Sequence, residues 1–144
     1  MKKILVADDD YQQRDLYVDL FRSSGFEVVV ASDGQDAWEK ILKEKPDLVF
    51  TGILMPGLTG FELIQKLRAD LATRPLPIIV FSHLGRPEDR EKAQNFHVEF
   101  MIKGFDSPAK ILKAVHRMLD PAEPPKPPRL KPDDEDDRTG VAMI

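Results

Sequence analysis

Short apolar runs alternate with amphipathic segments over the first 120 residues of the chain. Five of the runs are rich in Val, Ile and Phe and have the length expected of strands that are covered on both faces. They comprise residues 4–7, 27–31, 48–51, 78–81 and 98–102. The apolar pattern therefore predicts five buried strands.

Five further segments carry apolar residues at helical spacing, which predicts five helices. The first ends at Gly25, the second ends before Pro46, and the third covers residues 60–71. The fourth begins near Pro87 and the fifth at Ser107, a capping residue that is followed by proline. The residues that define the spacing are Leu16 and Leu20; Ala37 and Ile41; Leu63, Ile64 and Leu67; and Ile111, Val115, Met118 and Leu119.

The strict alternation of strands and helices is typical of an α/β fold. It predicts right-handed crossovers and a doubly wound parallel sheet with helices on both faces. In such a sheet the functional crevice lies at the carboxyl ends of the strands. We therefore expect functional side chains just after the first, third, fourth and fifth strands.

Composition excludes several classes of protein. The chain has 144 residues, of which 42% are apolar and 32% charged, as in an ordinary globular protein. It contains no cysteine, which excludes thiolate metal sites and disulfides and agrees with a cytoplasmic location. The net charge of −4 lacks the basic excess of a nucleic-acid-binding protein. No apolar stretch has the length of a membrane span.

The composition changes after Asp120. Residues 121–132 contain six prolines, and residues 133–137 are all acidic. Such a segment offers too little apolar surface to offset the entropy lost on ordering. We predict one folded domain over residues 1–120 and a disordered tail over residues 121–144. A linker to a further domain is the alternative interpretation.

Polar residues follow several of the predicted strands. Asp8, Asp9 and Asp10 follow the first strand, Ser82 the fourth, and Lys103 the fifth. Adjacent carboxylates repel each other unless they share a cation, and Mg²⁺ prefers such oxygen ligands. A hydroxyl and an ammonium group beside them could hold a phosphate-like anion. Asp10 also has a common structural role as a helix cap.

With these residues in this order, the sequence resembles the receiver domains of two-component response regulators over residues 3–119. The stretches that carry the resemblance are ILVADDD at 4–10, PDLVF at 46–50, MPGLTGFEL at 55–63, PIIVFS at 77–82 and FMIK at 100–103. The resemblance implies a flavodoxin-like (βα)5 fold with strand order 2-1-3-4-5.

The resemblance also assigns roles to residues of this chain. Asp8 and Asp9 correspond to the acidic pair that binds Mg²⁺, with Asp9 as the direct ligand and Asp8 acting largely through water. Ser82 and Lys103 correspond to the pair that holds the phosphate. Phe100 corresponds to the switch aromatic of the family.

The family's phosphoacceptor aspartate corresponds to Gly52, which cannot form an acyl phosphate. The neighbouring Thr51 is expected to point to the other face of its strand. A structural interpretation is that a sharp bend requires glycine here. With one carboxylate fewer, Mg²⁺ binding should be weak or vestigial, and Lys103 could pair with Asp8 or Asp9 instead.

Two further residues depart from the family pattern. His83 stands where a small residue is usual, and its bulk could crowd the phosphate pocket, although a lone histidine is more often packed or solvated. Gly104 replaces a proline whose peptide bond to the lysine is usually cis. Because a non-proline cis bond costs about 2.5–4 kcal/mol, we predict a trans bond between Lys103 and Gly104.

The sequence therefore predicts a non-enzymatic receiver-like module of phosphorelay signalling that acts by protein contact and requires no cofactor. The resemblance implies a histidine kinase, another receiver or an output protein as partner, bound through the fourth helix, fifth strand and fifth helix. A homodimer is left open, and neither nucleic acid nor a membrane is expected as a partner. Two alternatives remain: a conventional receiver that uses another residue, and a module that binds a small anion.

Overall fold

The computed structural model describes residues 1–83 and 85–119. The strands are β1 (Lys3–Ala7), β2 (Glu27–Ala31), β3 (Leu48–Thr51), β4 (Ile78–Ser82) and β5 (Glu99–Ile102). The helices are α1 (Tyr11–Ser23), α2 (Gly34–Glu44), α3 (Gly60–Ala69), α4 (Pro87–Asn95) and α5 (Pro108–Leu119). Every predicted strand and helix is present, and the strand limits agree to within one residue. The predicted tail over residues 121–144 lies outside the described residues.

The strands form one parallel sheet with the order β2-β1-β3-β4-β5. This is the predicted flavodoxin-like order. The chain winds outward from β1 to β2 and then returns to β3 on the other side of β1, which makes the β1–β3 junction the switch point of the sheet. Because Ala7 pairs with Thr51, the next residues, Asp8 and Gly52, lie side by side at that junction.

Side-chain caps define where the helices begin. The carboxylate of Asp10 accepts hydrogen bonds from the backbone at the start of α1, and Asp33 does the same for α2. Thr59 and Glu62 form a reciprocal capping box at α3. Pro87 occupies the first turn of α4, where its missing N–H leaves no helical bond unmade. The loops that lead into the helices are therefore held in defined positions around the carboxyl edge of the sheet.

Two apolar cores lie on opposite faces of the sheet, as the alternation of side chains along each strand requires. One core packs α2, α3 and α4 against the sheet, and the other packs α1 and α5. The second core contains a cluster of aromatic rings whose centroids lie 4.8–6.4 Å apart, formed by Tyr17, Phe21, Phe50 and Phe81. None of the helices within the described part of the chain is long and apolar enough to cross a membrane.

The buried face of α1 differs from the face that the spacing of Leu16 and Leu20 predicted. Leu16 is 56% exposed, whereas Tyr17, Val18 and Phe21 are buried. The pair at positions 17 and 21 also has helical spacing, and its rings contact Phe50 of β3. The larger aromatic surface is buried in preference to the leucine because hydrophobic free energy scales with buried area.

Helix α3 ends at Ala69, two residues before the predicted end. Asp70 has an extended backbone and its carbonyl accepts from the N–H groups of Thr73 and Arg74, so a turn replaces the next turn of helix. Leu71 is consequently 77% exposed. The apolar character of Leu71 predicted a longer helix, but the turn that begins at Asp70 ends α3 at Ala69.

Candidate functional site

A cleft of about 80 Å³ opens at the carboxyl ends of β1, β3, β4 and β5. Its position is the one expected for a doubly wound sheet. The described residues that line it are Asp8, Asp9, Asp10, Gly52, Ile53, Leu54, Phe81, Ser82, His83, Arg86, Asp89 and Lys103. The predicted site residues are thus brought together, with the exception of Phe100.

Asp8 and Lys103 form an ion pair across the cleft. Lys103 Nζ lies 3.4 Å from Asp8 Oδ2, and both side chains are largely buried, with 15% and 12% of their surfaces exposed. Burial raises the pKa of the Asp8 carboxyl above its ordinary value of 3.8, because desolvation disfavours the charged form. Hydrogen bonding from the Asp10 N–H and the charge of Lys103 lower that pKa without cancelling the effect of burial. Of the two pairings left open for Lys103, the structure has the one with Asp8.

The other two acidic residues after β1 are placed differently. Asp9 and Asp10 are exposed at the mouth of the cleft, and Asp10 caps α1, as expected. The backbone N–H of Asp10 also donates to Asp8 Oδ1 at 3.1 Å, which orients the buried carboxylate. The aspartate triplet therefore divides into one buried carboxylate, one exposed carboxylate and one helix cap.

Gly52 lies next to the Asp8 carboxylate, at the end of β3. Its N–H donates to the carbonyl of Ala7 at 2.9 Å. Its φ angle is outside the left-handed region, and a Cβ atom on it would lie 3.5 Å from Asp8 Cγ, an ordinary van der Waals contact. The bend after β3 therefore does not require glycine, and the structural interpretation of Gly52 is not supported.

Two other glycines are required by close packing around this loop. A Cβ atom on Gly60 would overlap the carbonyl oxygen of Gly52, and one on Gly34 would overlap the carbonyl oxygen of Leu58. The start of α3 is further held by a 2.7 Å hydrogen bond from the Gly60 N–H to Ile53 O. The loop after β3 therefore packs closely against the first residues of α2 and α3, and these contacts position Gly52 at the cleft.

Thr51 points away from the cleft, as the alternation of strand side chains predicts. Its side chain is fully buried, and its hydroxyl donates to Gly52 O at 3.0 Å and contacts Met55 Sδ at 3.8 Å. Met55 belongs to the core formed with α2 and α3. The hydroxyl of Thr51 therefore does not face Asp8 and Lys103.

The ends of β4 and β5 are joined beside the cleft. The N–H of Lys103 donates to Ser82 O at 2.7 Å, and Lys103 Nζ lies 5.6 Å from the centre of the Phe81 ring. Ser82 is buried, whereas His83 is exposed and lines the cleft. Phe100 lies outside the cleft, where its ring centre is 5.2 Å from Cζ of Arg90 on α4.

Arg86 and Asp89 are residues of the cleft that sequence reasoning missed. Arg86 Nε donates to Asp89 Oδ2 at 2.9 Å and Nη2 lies 3.4 Å from Oδ1. The Asp89 side chain is 3% exposed and that of Arg86 is 47% exposed. The hydrogen bond and the charge of Asp89 raise the pKa of Arg86 above its already high ordinary value. In the sequence, Asp89 is one of two acidic residues in the first turn of α4, the other being Glu88, and no local pattern indicates that it is buried.

The Lys103–Gly104 bond is trans, as predicted, since the described residues contain no cis peptide bond. Gly104 has a φ of +79°, in the left-handed region that favours glycine. Proline, whose φ is near −65°, could not adopt this conformation. The turn after β5 is thus built differently from one that carries proline.

The donor atoms of the cleft do not fit a dedicated Mg²⁺ site. Across residues 1–83 and 85–119, no group of three or more His, Cys, Asp or Glu side chains is placed to hold a metal ion. Asp8 and Asp9 supply two carboxylates, one of which is paired with Lys103. Affinity for hard cations rises with the number and charge of the oxygen ligands, so this small set favours weak binding at most.

Comparisons of sequence place the chain among signalling regulators. The pattern of the response regulator receiver domain matches residues 4–116. The phosphate regulon transcriptional regulatory protein PhoB of Pseudomonas aeruginosa is 33% identical over 132 residues, which are 88% of this chain and 56% of that protein. A gliding motility regulatory protein of Myxococcus xanthus is 29% identical over 117 residues, 81% of this chain and 15% of that protein. The matched part of the chain thus spans about half the length of PhoB and a much smaller share of the gliding motility protein.

Solved structures agree with this assignment. The chemotaxis protein CheY4 of Vibrio cholerae superposes with a TM-score of 0.75 at 28% identity, covering 83% of this chain and 99% of that one. A response regulator from Chloroflexus aurantiacus gives a TM-score of 0.76 at 26% identity, covering 82% and 97%. The fold, the cleft and the sequence comparisons agree that this chain belongs to the response regulator receiver domain family of two-component signalling.

Proposed function

We propose that this receiver domain signals through protein contact without being phosphorylated. The observation that carries the proposal is Gly52, which occupies the position beside Asp8 where the family's phosphoacceptor aspartate is expected. Formation of an acyl phosphate needs a carboxylate at this place, and glycine supplies none. Thr51 cannot substitute, because its hydroxyl is buried on the opposite side of β3.

The charges in the cleft support the same proposal. Lys103, which corresponds to the family's phosphate-binding lysine, is paired with Asp8, and Arg86 is paired with Asp89. An incoming anion would have to compete with these carboxylates while Asp9 and Asp10 stand at the mouth of the cleft. Binding of a small anion is therefore the less favoured alternative.

Mg²⁺ has no required part in this proposal. In a phosphorylated receiver a bound Mg²⁺ stabilises the negative charge of the phosphoryl group. Here Lys103 is paired with the buried Asp8 carboxylate and supplies part of the positive charge that a metal ion would otherwise bring. In this proposal Asp8 has a structural role through its ion pair with Lys103, the metal site that Asp8 and Asp9 would form is vestigial, and signalling needs no cofactor.

The partner that fits this proposal is a protein of the same signalling system. Receiver domains bind histidine kinases and other signalling proteins, and they are generally non-enzymatic modules. By family resemblance the contact surface comprises α4, β5 and α5, and we place the interaction in the cytoplasm. Because the position that would change on phosphorylation is glycine, we propose that this surface is presented in one constant conformation.

The proposal is tested by incubating the chain with acetyl phosphate and Mg²⁺ and measuring its intact mass. The unmodified chain should gain no phosphoryl group, whereas Gly52→Asp, which restores the carboxylate beside Asp8, Ser82 and Lys103, should gain one that hydroxylamine removes. Gly52→Asn, which has nearly the same size but no nucleophile, is the matched control and should remain unlabelled. Stable labelling of the unmodified chain would overturn the proposal, and resistance of that label to hydroxylamine would point to a serine or threonine ester.

The same variants test the vestigial metal site. Gly52→Asp adds a third carboxylate oxygen donor and should bind Mg²⁺ more tightly than the unmodified chain in calorimetry. If this variant binds Mg²⁺ but remains unlabelled, the bulk of His83 at the rim of the cleft is the suspected obstacle. Adding His83→Ala to Gly52→Asp should then permit labelling.

A further inference from the structure

Strand β2 forms one edge of the sheet in the part of the chain that the structure describes. The Glu27 N–H donates to Lys2 O at 2.9 Å, and the Asp8 N–H donates to Ala31 O at 3.3 Å, so residues 27 and 31 direct their peptide groups toward β1. Peptide groups alternate in direction along a strand. Val28 and Val30 therefore direct their N–H and C=O groups to the outer edge.

This edge has the properties of a surface on which another strand can add. Its residues Val28, Val29 and Val30 are β-branched and only half-buried. An exposed edge strand with unpaired peptide groups is a template for pairing with another chain. Proteins commonly protect such edges with charged side chains, especially lysine.

Lys40 provides such a side chain. Its Nζ lies 2.7 Å from Val30 O, the outward carbonyl of β2, and 3.2 Å from Asp36 Oδ2 one turn earlier on α2. The carboxylate holds the ammonium group in place, and the ammonium group occupies the carbonyl that a new strand would need. We propose that Lys40 closes the outer edge of β2 against pairing with a second copy of this chain.

The partner that fits this edge is the β2 strand of a second copy of the chain. If two β2 strands pair antiparallel about Val29, Val28 of each copy lies opposite Val30 of the other, and Glu27 lies opposite Ala31. No like charges meet in this register, and the outward groups of Val28 and Val30 match as donors and acceptors. Half of the hydrogen bonds in that pairing end at the Val30 carbonyl oxygens, which Lys40 occupies.

The opposite edge of the sheet is closed in a comparable way. On β5, Lys103 bonds to β4, so Ile102 directs its peptide groups outward. The N–H of Ile102 donates to Asp106 Oδ2 at 2.7 Å, and its carbonyl accepts from the N–H groups of Phe105 and Asp106. Local groups thus cap outward peptide groups at both edges, which supports the role assigned to Lys40.

The test is the mass of the full chain in sedimentation equilibrium over a wide range of concentrations. Lys40→Met keeps the aliphatic stem but removes the ammonium group. Its average mass should rise with concentration toward twice that of the unmodified chain, because each copy has one β2 edge to pair. Lys43→Met, an exposed lysine on the same helix, is the matched control and should behave as the unmodified chain.

A second variant identifies the surface that associates. Val28→Pro removes an outward N–H and leaves the bonds to β1 intact, a substitution that edge strands tolerate. Added to Lys40→Met, it should return the mass to that of the unmodified chain, with the fold checked by circular dichroism. If Val28→Pro prevents folding, Val28→Lys, which places a charge on the same edge, serves instead.

The proposal is overturned if folded Lys40→Met has the mass of the unmodified chain at every concentration. It is also overturned if Lys43→Met associates to the same extent, because loss of charge alone would then explain the result. Association of Lys40→Met that the change at Val28 leaves unaltered would place the contact elsewhere and would likewise overturn it.

Discussion

Three glycines near the cleft differ in what a side chain at each position would meet. At Gly34 and Gly60 a Cβ atom would overlap backbone carbonyl oxygens, whereas at Gly52 it would make ordinary contacts with the Asp8 carboxylate. Glycine is thus required by packing at two positions that shape the loop and is not required at the position that faces the cleft. At this scale, the position beside Asp8 that faces the cleft carries no side chain, although the packing would admit one.

A pair of alanine substitutions tests this distinction. Gly52→Ala should raise the free energy of unfolding by about 0.4–1 kcal/mol, because alanine restricts the unfolded chain and fits the native conformation. Gly60→Ala should lower it by about 1–3 kcal/mol, because the backbone must move to admit the methyl group. Urea unfolding measures both. A clear loss of stability in Gly52→Ala would restore the structural interpretation of that glycine.

The buried carboxylate of Asp8 leads to a pH dependence of stability. Its pKa is raised in the folded state, so the folded chain holds this proton more tightly than the unfolded chain does. The contribution of Asp8 to stability is therefore fully present below pH 3.8 and is lost as the pH rises through the raised pKa. The side chain of Asp8→Asn cannot titrate. As the pH rises through the raised pKa of Asp8, the free energy of unfolding of Asp8→Asn should therefore increase relative to that of the unmodified chain. Urea unfolding at a series of pH values measures this difference, and a difference of opposite sign would show that attraction to Lys103 outweighs burial.

Among the elements, α4 is attached to the sheet with little apolar burial. Its buried residues are Asp89 and Ala93, and its first turn is held by the ion pair between Arg86 and Asp89. The ring of Phe100 on β5 adds a contact with Arg90. The helix therefore depends on a polar contact at its amino end more than on an apolar face.

The two partners of this ion pair should differ in importance. Arg86→Met leaves a carboxylate that is 3% exposed without its partner, whereas Asp89→Asn leaves a guanidinium group that is 47% exposed to water. Because an unpaired buried charge is strongly disfavoured, Arg86→Met should lower the free energy of unfolding more than Asp89→Asn. It should also speed amide hydrogen exchange in α4 more. The reverse ranking, in urea unfolding and exchange mass spectrometry, would contradict this account.

At the scale of the whole molecule, a single sheet separates two cores that share no helix. Ile64 belongs to the core with α2 and α3, and Ile111 to the core with α1 and α5; both are fully buried. Residues on opposite faces of a sheet contact each other only through the backbone of the strands. Substitutions in the two cores should therefore act independently.

Additivity tests this independence. Ile64→Val and Ile111→Val should each lower the free energy of unfolding by about 0.5–1.5 kcal/mol. The double variant should show their sum to within about 0.5 kcal/mol, because distant sites without shared partners add. Equilibrium unfolding of the four proteins completes the cycle. A larger deviation would show that the sheet transmits strain between its faces.

Much of this protein follows from local pattern. Continuous apolar strands, helical spacing, Pro87 at the start of α4 and the caps at Asp10 and Ser107 each depend on a few neighbouring residues, so the elements and their order could be predicted. The convergence of Asp8, Ser82 and Lys103 could also be predicted, because parallel strands present their carboxyl ends at one edge.

Other features depend on contacts between distant parts of the chain. Burial of Tyr17 and Phe21 in place of Leu16 depends on the aromatic residues of β3 and β4. The choice of Asp8 over Asp9 as the partner of Lys103 joins residues 95 positions apart. Burial of Asp89 depends on how α4 docks beside the cleft, and its local sequence contains no sign of it.

The sequence by itself determined the alternation of strands and helices, the family and the absence of a side chain at Gly52, because these depend on residue identity and short-range spacing. Only the tertiary structure decided that Gly52 has no left-handed backbone conformation, that Lys103 pairs with Asp8, and that Lys40 reaches Val30 at the edge of the sheet. The physical reason is that desolvation, ion pairing and edge exposure depend on distances between residues that are far apart in the chain. Residue spacing along the sequence does not fix those distances. They are set only when the helices pack on the two faces of the sheet.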